Sequence, residues 1–207
     1  DGKPDGKIDF HDETNIGNPW PKLFGGLTNS FSYKGFDLSI LITGTFGQDV
    51  YNHIAKVNSK TSTIYTSRNL LQEALNYARV VTKNGDIVIE NAGTNVPRFT
   101  NSQIANDNNY NTTSSRWVED GSYLRLKNIS LSYNLPTSLL SKLKWVKGLR
   151  ATVGAQNVAT ITGYSGFDPE VGSYVGGNAN AGNQAIGLDY GRYPLTPIYT
   201  FTLGVNF

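Results

Sequence analysis

The sequence predicts an all-β fold: an antiparallel transmembrane β-barrel segment of about five strands, part of a larger barrel. Three observations predict it. First, the last nine residues alternate Tyr199, Phe201, Leu203, Val205 and Phe207 with Thr200, Thr202, Gly204 and Asn206. Strand side chains point to opposite faces in turn, so one face is apolar and aromatic while the other is small and polar. Second, a hairpin over residues 23–47 repeats this two-sided pattern. Third, the connections between patterned segments run short, long, short, long. Outer-membrane barrels show that asymmetry, with tight turns at one end and long loops at the other.

Each element has its own signal. Residues 1–22 are acidic and turn-rich. Residues 23–33 alternate loosely, with Leu27, Phe31 and Tyr33 on one face. Lys34-Gly35 is a two-residue turn with a glycine available for positive φ. Residues 36–47 place Phe36, Leu38, Ile40, Ile42 and Phe46 on one side, with Leu41 the exception on the other. A two-residue loop pairs Tyr33 with Phe36, Phe31 with Leu38 and Leu27 with Ile42. Opposed residues share a face, so the apolar sets coincide, and Asn29 opposite Ile40 is the one misfit.

Residues 48–121 are a long polar excursion. Within it, Leu70, Leu71, Ala74, Leu75 and Ala78 have helical spacing over 67–78. Asn84-Gly85 between two β-branched pairs predicts a small hairpin. The Asn/Ser/Thr-rich stretch 101–115 reads as irregular. Residues 122–135 form a further strand with Tyr123, Ile129, Leu131, Tyr133 and Leu135 on its apolar face, interrupted there by Arg125 and Lys127. Pro136 ends it, since proline cannot donate to a ladder. A short helical turn is expected over 138–143. Residues 149–157 alternate again, 158–195 form a Gly/Asn/Ala-rich loop, and 197–207 are the last strand.

The expected strands are therefore 23–33, 36–47, 122–135, 149–157 and 197–207. Threading them through a bilayer puts loops 1–22, 48–121 and 158–195 outside and the turns at 34–35 and 136–148 on the periplasmic side. Arg125 and Lys127 then lie near the outer end of their strand, where a lipid-facing charge costs about 0–1 kcal/mol. Five strands cannot close a membrane barrel, because the smallest has about eight. The competing reading is a soluble secreted or surface β-sandwich that binds carbohydrate, although sandwich turn signals come every ~8–12 residues.

Composition narrows the function classes. The 207 residues contain no cysteine, which excludes a disulfide framework and thiolate metal sites. There is no methionine, so a chain beginning on Asp1 reads as processed or as a piece of something longer, and no signal peptide is expected in it. No run approaches the ~18–20 apolar residues of a membrane helix. The net charge of +2 gives no nucleic-acid footprint, and Lys142, Lys144 and Lys147 read as a solvated turn.

Several stretches together resemble a known family: DGKIDFHDETNIGNPWPKLFGGLTNSFSYKGFDLSI, GQDVYN, SYLRLKNISLSYNLP, AQNVATITGYSGFDPE and the final YTFTLGVNF. In this order they resemble the carboxy-terminal barrel portion of SusC/RagA-type TonB-linked outer-membrane proteins. The resemblance covers nearly the whole chain and is weakest around 55–115 and 171–190. It implies a TonB-dependent transporter barrel of about twenty-two strands around a plug, in a Gram-negative outer membrane, crossing it many times. It also implies energised import of bulky nutrients, typically oligosaccharides and sometimes peptides, beneath a SusD-like surface lipoprotein. TonB would act through an amino-terminal part that this chain lacks. The final strand becomes the closing strand, and Phe207 resembles the signal read by the barrel-assembly machinery.

Two residue sets are candidates for chemistry. In DGKPDGKIDFHD, Asp1, Asp5, Asp9 and Asp12 fall at positions 1, 5, 9 and 12 of an EF-hand-like loop, with Gly6 at the sharp turn and the Lys7 carbonyl as a further ligand. Ca2+ is the ion such a loop would hold, and a plain acidic turn loop without metal is the alternative, since Lys3 and Asp12 depart from the usual residues at their positions. Trp20, Trp117, Tyr164, Tyr174 and Tyr190 lie in the loops assigned to the outside, where aromatic faces can stack on a ligand or pack the loops themselves. His11 and His53 have no zinc spacing. Asp168-Pro169-Glu170 reads as turn chemistry. No nucleophile, base and orienting group come in a known order, so the chain is not expected to be an enzyme.

Overall fold

The computed structural model describes residues 10–59, 69–96, 98–99, 113–141, 145–172 and 186–207. Ten strands occur among them: β1 (Leu23–Tyr33), β2 (Phe36–Phe46), β3 (Asp49–Asn52), β4 (Arg79–Lys83), β5 (Asp86–Glu90), β6 (Val118–Asp120), β7 (Tyr123–Asn134), β8 (Gly148–Thr162), β9 (Leu188–Asp189) and β10 (Ile198–Asn206). The chain divides into two compact units, one of residues 18–49, 120–171 and 192–207, the other of residues 1–17, 50–119 and 172–191.

The first unit is an antiparallel sheet in the order β1-β2-β7-β8-β10. Its β1–β2 register pairs Tyr33 with Phe36 and Leu27 with Ile42, as the two-residue turn requires. Lys34 (φ 44°) and Gly35 (φ 87°) both take the left-handed conformation, so the turn's twist matches that of the strands it joins. At the other short connection, Pro136 precedes a single helical turn, Thr137–Leu140, with the buried Leu140 at its end.

The β7 strand corrects the sequence reading. Leu41 pairs with Asn128, but the next residue, Ile42, pairs with Leu126, leaving Lys127 as an extra residue on β7. This is a β-bulge, and one inserted residue moves all the following side chains to opposite faces. Arg125 therefore does not interrupt the apolar face. It pairs with Thr43 on one side and Thr160 on the other, on the polar face. Leu124 and Leu126 take its place and carry the apolar face to the end of the strand.

The β8 strand bulges at the same level, since Asn128 pairs with Gln156 but Leu126 pairs with Ala159. Asn157 takes φ 51° there, a conformation that asparagine tolerates. The strand consequently continues to Thr162 instead of ending at 157, as the break in alternation suggested.

With the two bulges counted, the faces separate. One carries Phe31, Leu38, Leu131, Val153 and Phe201 in a single cross-strand row. The other carries Ser30, Ser39, Ser130, Gly154 and Thr200 in the adjacent row. The apolar row is uncovered: Leu131 on the central strand is 40% exposed, Val153 51% and Phe201 72%. A sandwich would bury this row under a second sheet, so the sandwich reading fails. At the turn end of the same face Tyr33, Phe36 and Tyr133 lie side by side, with the Phe36 and Tyr133 ring centroids 4.3 Å apart. Aromatic girdles flank the apolar band of membrane barrels in this way.

In the second unit, β6, β3 and β9 form a small sheet in which β3 and β9 run parallel. Helix α1 (His53–Asn58) follows β3, with the Asn52 side chain accepting the Ala55 N–H at 2.8 Å as its cap. The predicted hairpin is β4–β5, turning on Asn84 (φ 54°) and Gly85 (φ 92°). The helix expected over 67–78 is only a 3-10 segment, Gln72–Asn76, among the described residues. Of its apolar stripe Ala74 alone is buried and Leu75 is exposed. Short helices gain their stability from a packed apolar face, which this segment lacks.

Candidate functional site

The polar face carries two clusters of charged and hydroxyl groups. At the turn end, Asp37 of β2 accepts hydrogen bonds from Ser32 Oγ (2.7 Å) and Asn134 Nδ2 (2.9 Å), and lies 3.4 Å from Arg150 Nη2. Register brings these residues together, since Asp37 opposes both Ser32 and Ser132, and Asn134 opposes Arg150. A nearby Ser132–Thr152 hydroxyl pair, 2.8 Å apart, extends the cluster.

At the loop end, Arg125 is the centre. Its side chain is only 2% exposed, yet each of its three nitrogens has an acceptor. Nε donates to Thr160 Oγ1 at 2.9 Å, Nη1 to Glu170 Oε2 at 2.7 Å and Nη2 to Asp168 Oδ1 at 2.6 Å. The guanidinium carbon sits 5.2 Å from the Tyr123 ring centre. Lys127, the bulge residue, adds a 3.6 Å contact to Glu170. Two cations thus face two carboxylates: the buried Arg125–Asp168 pair is neutralised, while Glu170 and Lys127 stay partly exposed at its edge. Burial works against the charged form of Asp168. Hydrogen bonds from the Leu195 and Glu170 amides, and then from Arg125, outweigh it and hold the carboxyl below its ordinary range. The Asp168-Pro169-Glu170 segment is thus the acidic half of an ion-pair network. The sequence signal for it was Arg125 itself, a cation out of phase with its strand.

In the second unit an aromatic group is mounted on the β3–β9 ladder. Tyr51 pairs with Leu188 and Asn52 with Asp189. Asp189, almost fully buried, accepts the Gly191 N–H at 2.8 Å and closes a tight turn around Tyr190. The Tyr190 ring rests on His53 with centroids 4.3 Å apart, and remains 42% exposed. Gly191 has φ 90°, a conformation that strains any residue with a side chain, and a Cβ there would come within 2.8 Å of Ile54 Cδ1. His53 thus supports an aromatic ring, a role its isolated position in the sequence did not reveal.

The five aromatic candidates divide. Tyr190 and Trp20 present their rings to solvent. Trp117 is 4% exposed and packs beneath Arg116, and Tyr164 is buried as well. Both rings are turned into the chain here and present no open face. Tyr174 lies outside the described residues. Of the calcium candidates Asp1, Asp5, Lys7, Asp9 and Asp12, only Asp12 is described, exposed at the end of the 3-10 turn Phe10–Asp12. Among the described residues no group of three or more His, Asp or Glu side chains could hold a metal ion.

Comparison with known proteins agrees with this geometry. No family model matches the chain. TonB-dependent receptor P3 of Formosa agariphila is 36% identical over 205 residues, 97% of this chain and 18% of the receptor. TonB-dependent receptor SusC of Bacteroides thetaiotaomicron is 27% identical over 213 residues, all of this chain and 17% of that receptor. Among solved structures, the RagAB peptide importer in its closed-closed state superposes with a TM-score of 0.74 at 25% identity, over 97% of this chain and 19% of that one. The chain therefore spans under a fifth of the length of these relatives. Uncovered apolar face, polar face, bulged strands and these matches lead to one assignment: the chain belongs to the SusC/RagA-type TonB-dependent receptors and forms a segment of their β-barrel.

Proposed function

We propose that the chain supplies wall and mouth to an outer-membrane importer of bulky nutrients in a Gram-negative cell. The observation that carries this reading is the two-faced sheet, whose apolar row is uncovered and whose polar face carries hydrogen-bonded clusters at both ends. A sheet of this kind is stable between lipid and a wet lumen. Its strands cross the membrane repeatedly, with the two-residue turn in the periplasm and the loops outside. The Asp37 and Arg125 clusters then line the lumen, where charge costs little. The remaining barrel strands pair with the free edges of β1 and β10. TonB energises the complete receptor through segments beyond this chain, and a SusD-like lipoprotein covers the loops.

The ligand we favour is an oligosaccharide. Tyr190, held from below by His53, presents a ring face and a hydroxyl, the combination that suits sugar stacking. Trp20 adds a second exposed ring. A peptide is the second reading, favoured by the likeness to a peptide importer. The acidic loop with Asp1, Asp5, Lys7, Asp9 and Asp12 would hold Ca2+, and calorimetry of the full receptor with and without Asp5→Ala and Asp9→Ala tests it.

Uptake by cells making the full-length receptor tests the import reading. Labelled oligosaccharides and labelled peptides are compared in cells making wild type or Tyr190→Ala. Uptake of oligosaccharide that stops when the proton-motive force is collapsed, and falls severalfold in Tyr190→Ala, is expected. Peptide uptake alone selects the second reading. Uptake of neither class, with the receptor assembled in the membrane, contradicts both.

A further inference from the structure

We propose that Arg125, acting through Asp168, is a latch that ties both legs of the connection between β8 and β10 to the polar face of the wall. The outgoing leg leaves β8 at Thr162 and the returning leg enters β10 at Ile198. Asp168 lies on the first leg and Leu195 on the second. One carboxylate joins them. Asp168 Oδ1 takes the Arg125 Nη2 hydrogen at 2.6 Å and the Glu170 N–H at 2.9 Å, while Oδ2 takes the Leu195 N–H at 3.0 Å. Three parts of the chain far apart in sequence, namely strand β7, the first leg and the second leg, therefore meet at one side chain.

The chemistry suits position more than stability. A buried ion pair contributes little net stability compared with apolar packing, but losing one partner leaves a stranded charge. Arginine fits because its planar fork can hold two carboxylates at fixed angles while Nε still reaches Thr160. Lysine offers one point of charge and cannot span them. The bulge at Lys127 is part of the device, since without it Arg125 would face away from both legs. Closing a loop costs entropy that grows with its length, and a tie near both ends shortens the segments that must be ordered. The latch thus fixes the base of the connection against the wall.

The test uses the full-length receptor assembled in membranes, with trypsin added outside. Arg192 lies on the second leg, exposed and three residues before Leu195, so cleavage after it reports whether that leg is tied down. Four proteins are compared: wild type, Asp168→Asn, Arg125→Lys and Glu170→Gln. Heat-modifiable mobility on gels confirms an assembled barrel in each. Asp168→Asn should raise the cleavage rate about tenfold or more, as loss of a charge-assisted hydrogen bond predicts. Arg125→Lys should fall between it and wild type. Glu170→Gln should cleave as wild type does, because Glu170 has no tie to the second leg.

A wild-type rate for Asp168→Asn in an assembled barrel overturns the proposal, as does an equal rise in Glu170→Gln. If Asp168→Asn does not assemble, Leu195→Pro replaces it, since it removes the N–H that Asp168 accepts while leaving the Arg125–Asp168 pair in place. The same rise is then expected, and no rise overturns the latch.

Discussion

Replacing Ile129 by arginine probes the division of the sheet into two faces. Ile129 is the seventh of the twelve residues of β7, the central strand, and opposes Ile40 on one side and Ala155 on the other. At about 3.3 Å per residue, twelve residues run about 40 Å, which a ~40° tilt projects to about 30 Å along the membrane normal. The apolar band of a barrel is about 25 Å tall, so Ile129 sits close to its middle. Arginine at that depth costs about 2–4 kcal/mol. The folding equilibrium should fall by about 30- to 900-fold, at about 1.36 kcal/mol per decade.

The neighbouring substitution, Ser130→Arg, is the control. Ser130 faces the other way, between Ser39 and Gly154, where small neighbours leave room for a long side chain. Its cost should stay within about 0.5 kcal/mol. Urea titrations of the full-length receptor folding into lipid vesicles measure both changes. If Ser130→Arg costs as much as Ile129→Arg, or more, the assignment of faces is wrong.

Other outcomes follow from the same geometry. A methyl group at Gly154 would meet Thr200 Oγ1 at 2.7 Å, so Gly154→Ala should lose about 1–3 kcal/mol in urea titrations, with Thr200→Ala restoring more than half. Deleting Lys127 removes the bulge and turns Arg125 toward the lipid. That variant should lack the heat-modifiable band of an assembled barrel. Asp168 has a folded pKa below its unfolded value, so its stabilisation is complete above the unfolded value of about 3.9 and is lost as pH falls through the lower folded one. The second leg should thus remain tied from pH 8 to 5, and pepsin cleavage near Leu195 should rise more steeply below about pH 4 in wild type than in Asp168→Asn.

Much of the sheet could be read from the sequence because period-two alternation is a direct record of which side chains must face which solvent. The β1–β2 hairpin was legible down to its register, since a two-residue turn with Gly35 leaves one pairing that aligns the apolar sets. The bulges were not. A single inserted residue costs nothing in composition, and it shows only as a phase slip, first at Arg125 and Lys127 and again after Asn157. The same slip concealed the loop-end cluster, because Asp168 and Glu170 read as a turn until Arg125 was placed on their side. The buried rings of Trp117 and Tyr164 were illegible for another reason. An aromatic in a polar loop can stack outward or pack inward, and only the surrounding chain decides. The His53–Tyr190 stack depends on the parallel β3–β9 ladder, a long-range contact that no local pattern announces.

A spin-label scan along β7 in the full-length receptor, reconstituted in bilayers, tests the central claim most directly. This chain contains no cysteine to compete with single cysteines placed from Tyr123 to Asn134. Oxygen collects in lipid and a nickel chelate stays in water, so their relative access to each label reports its surroundings. The two-faced wall predicts high oxygen access at positions 129, 131 and 133 and high nickel access at 128, 130, 132 and 134. It also predicts that the alternation slips phase at Lys127, with 124 and 126 on the oxygen side. Low access of both reagents at 129, 131 and 133 would mean a covered apolar core, and an alternation that runs unbroken through 127 would mean no bulge. Either result would contradict the account.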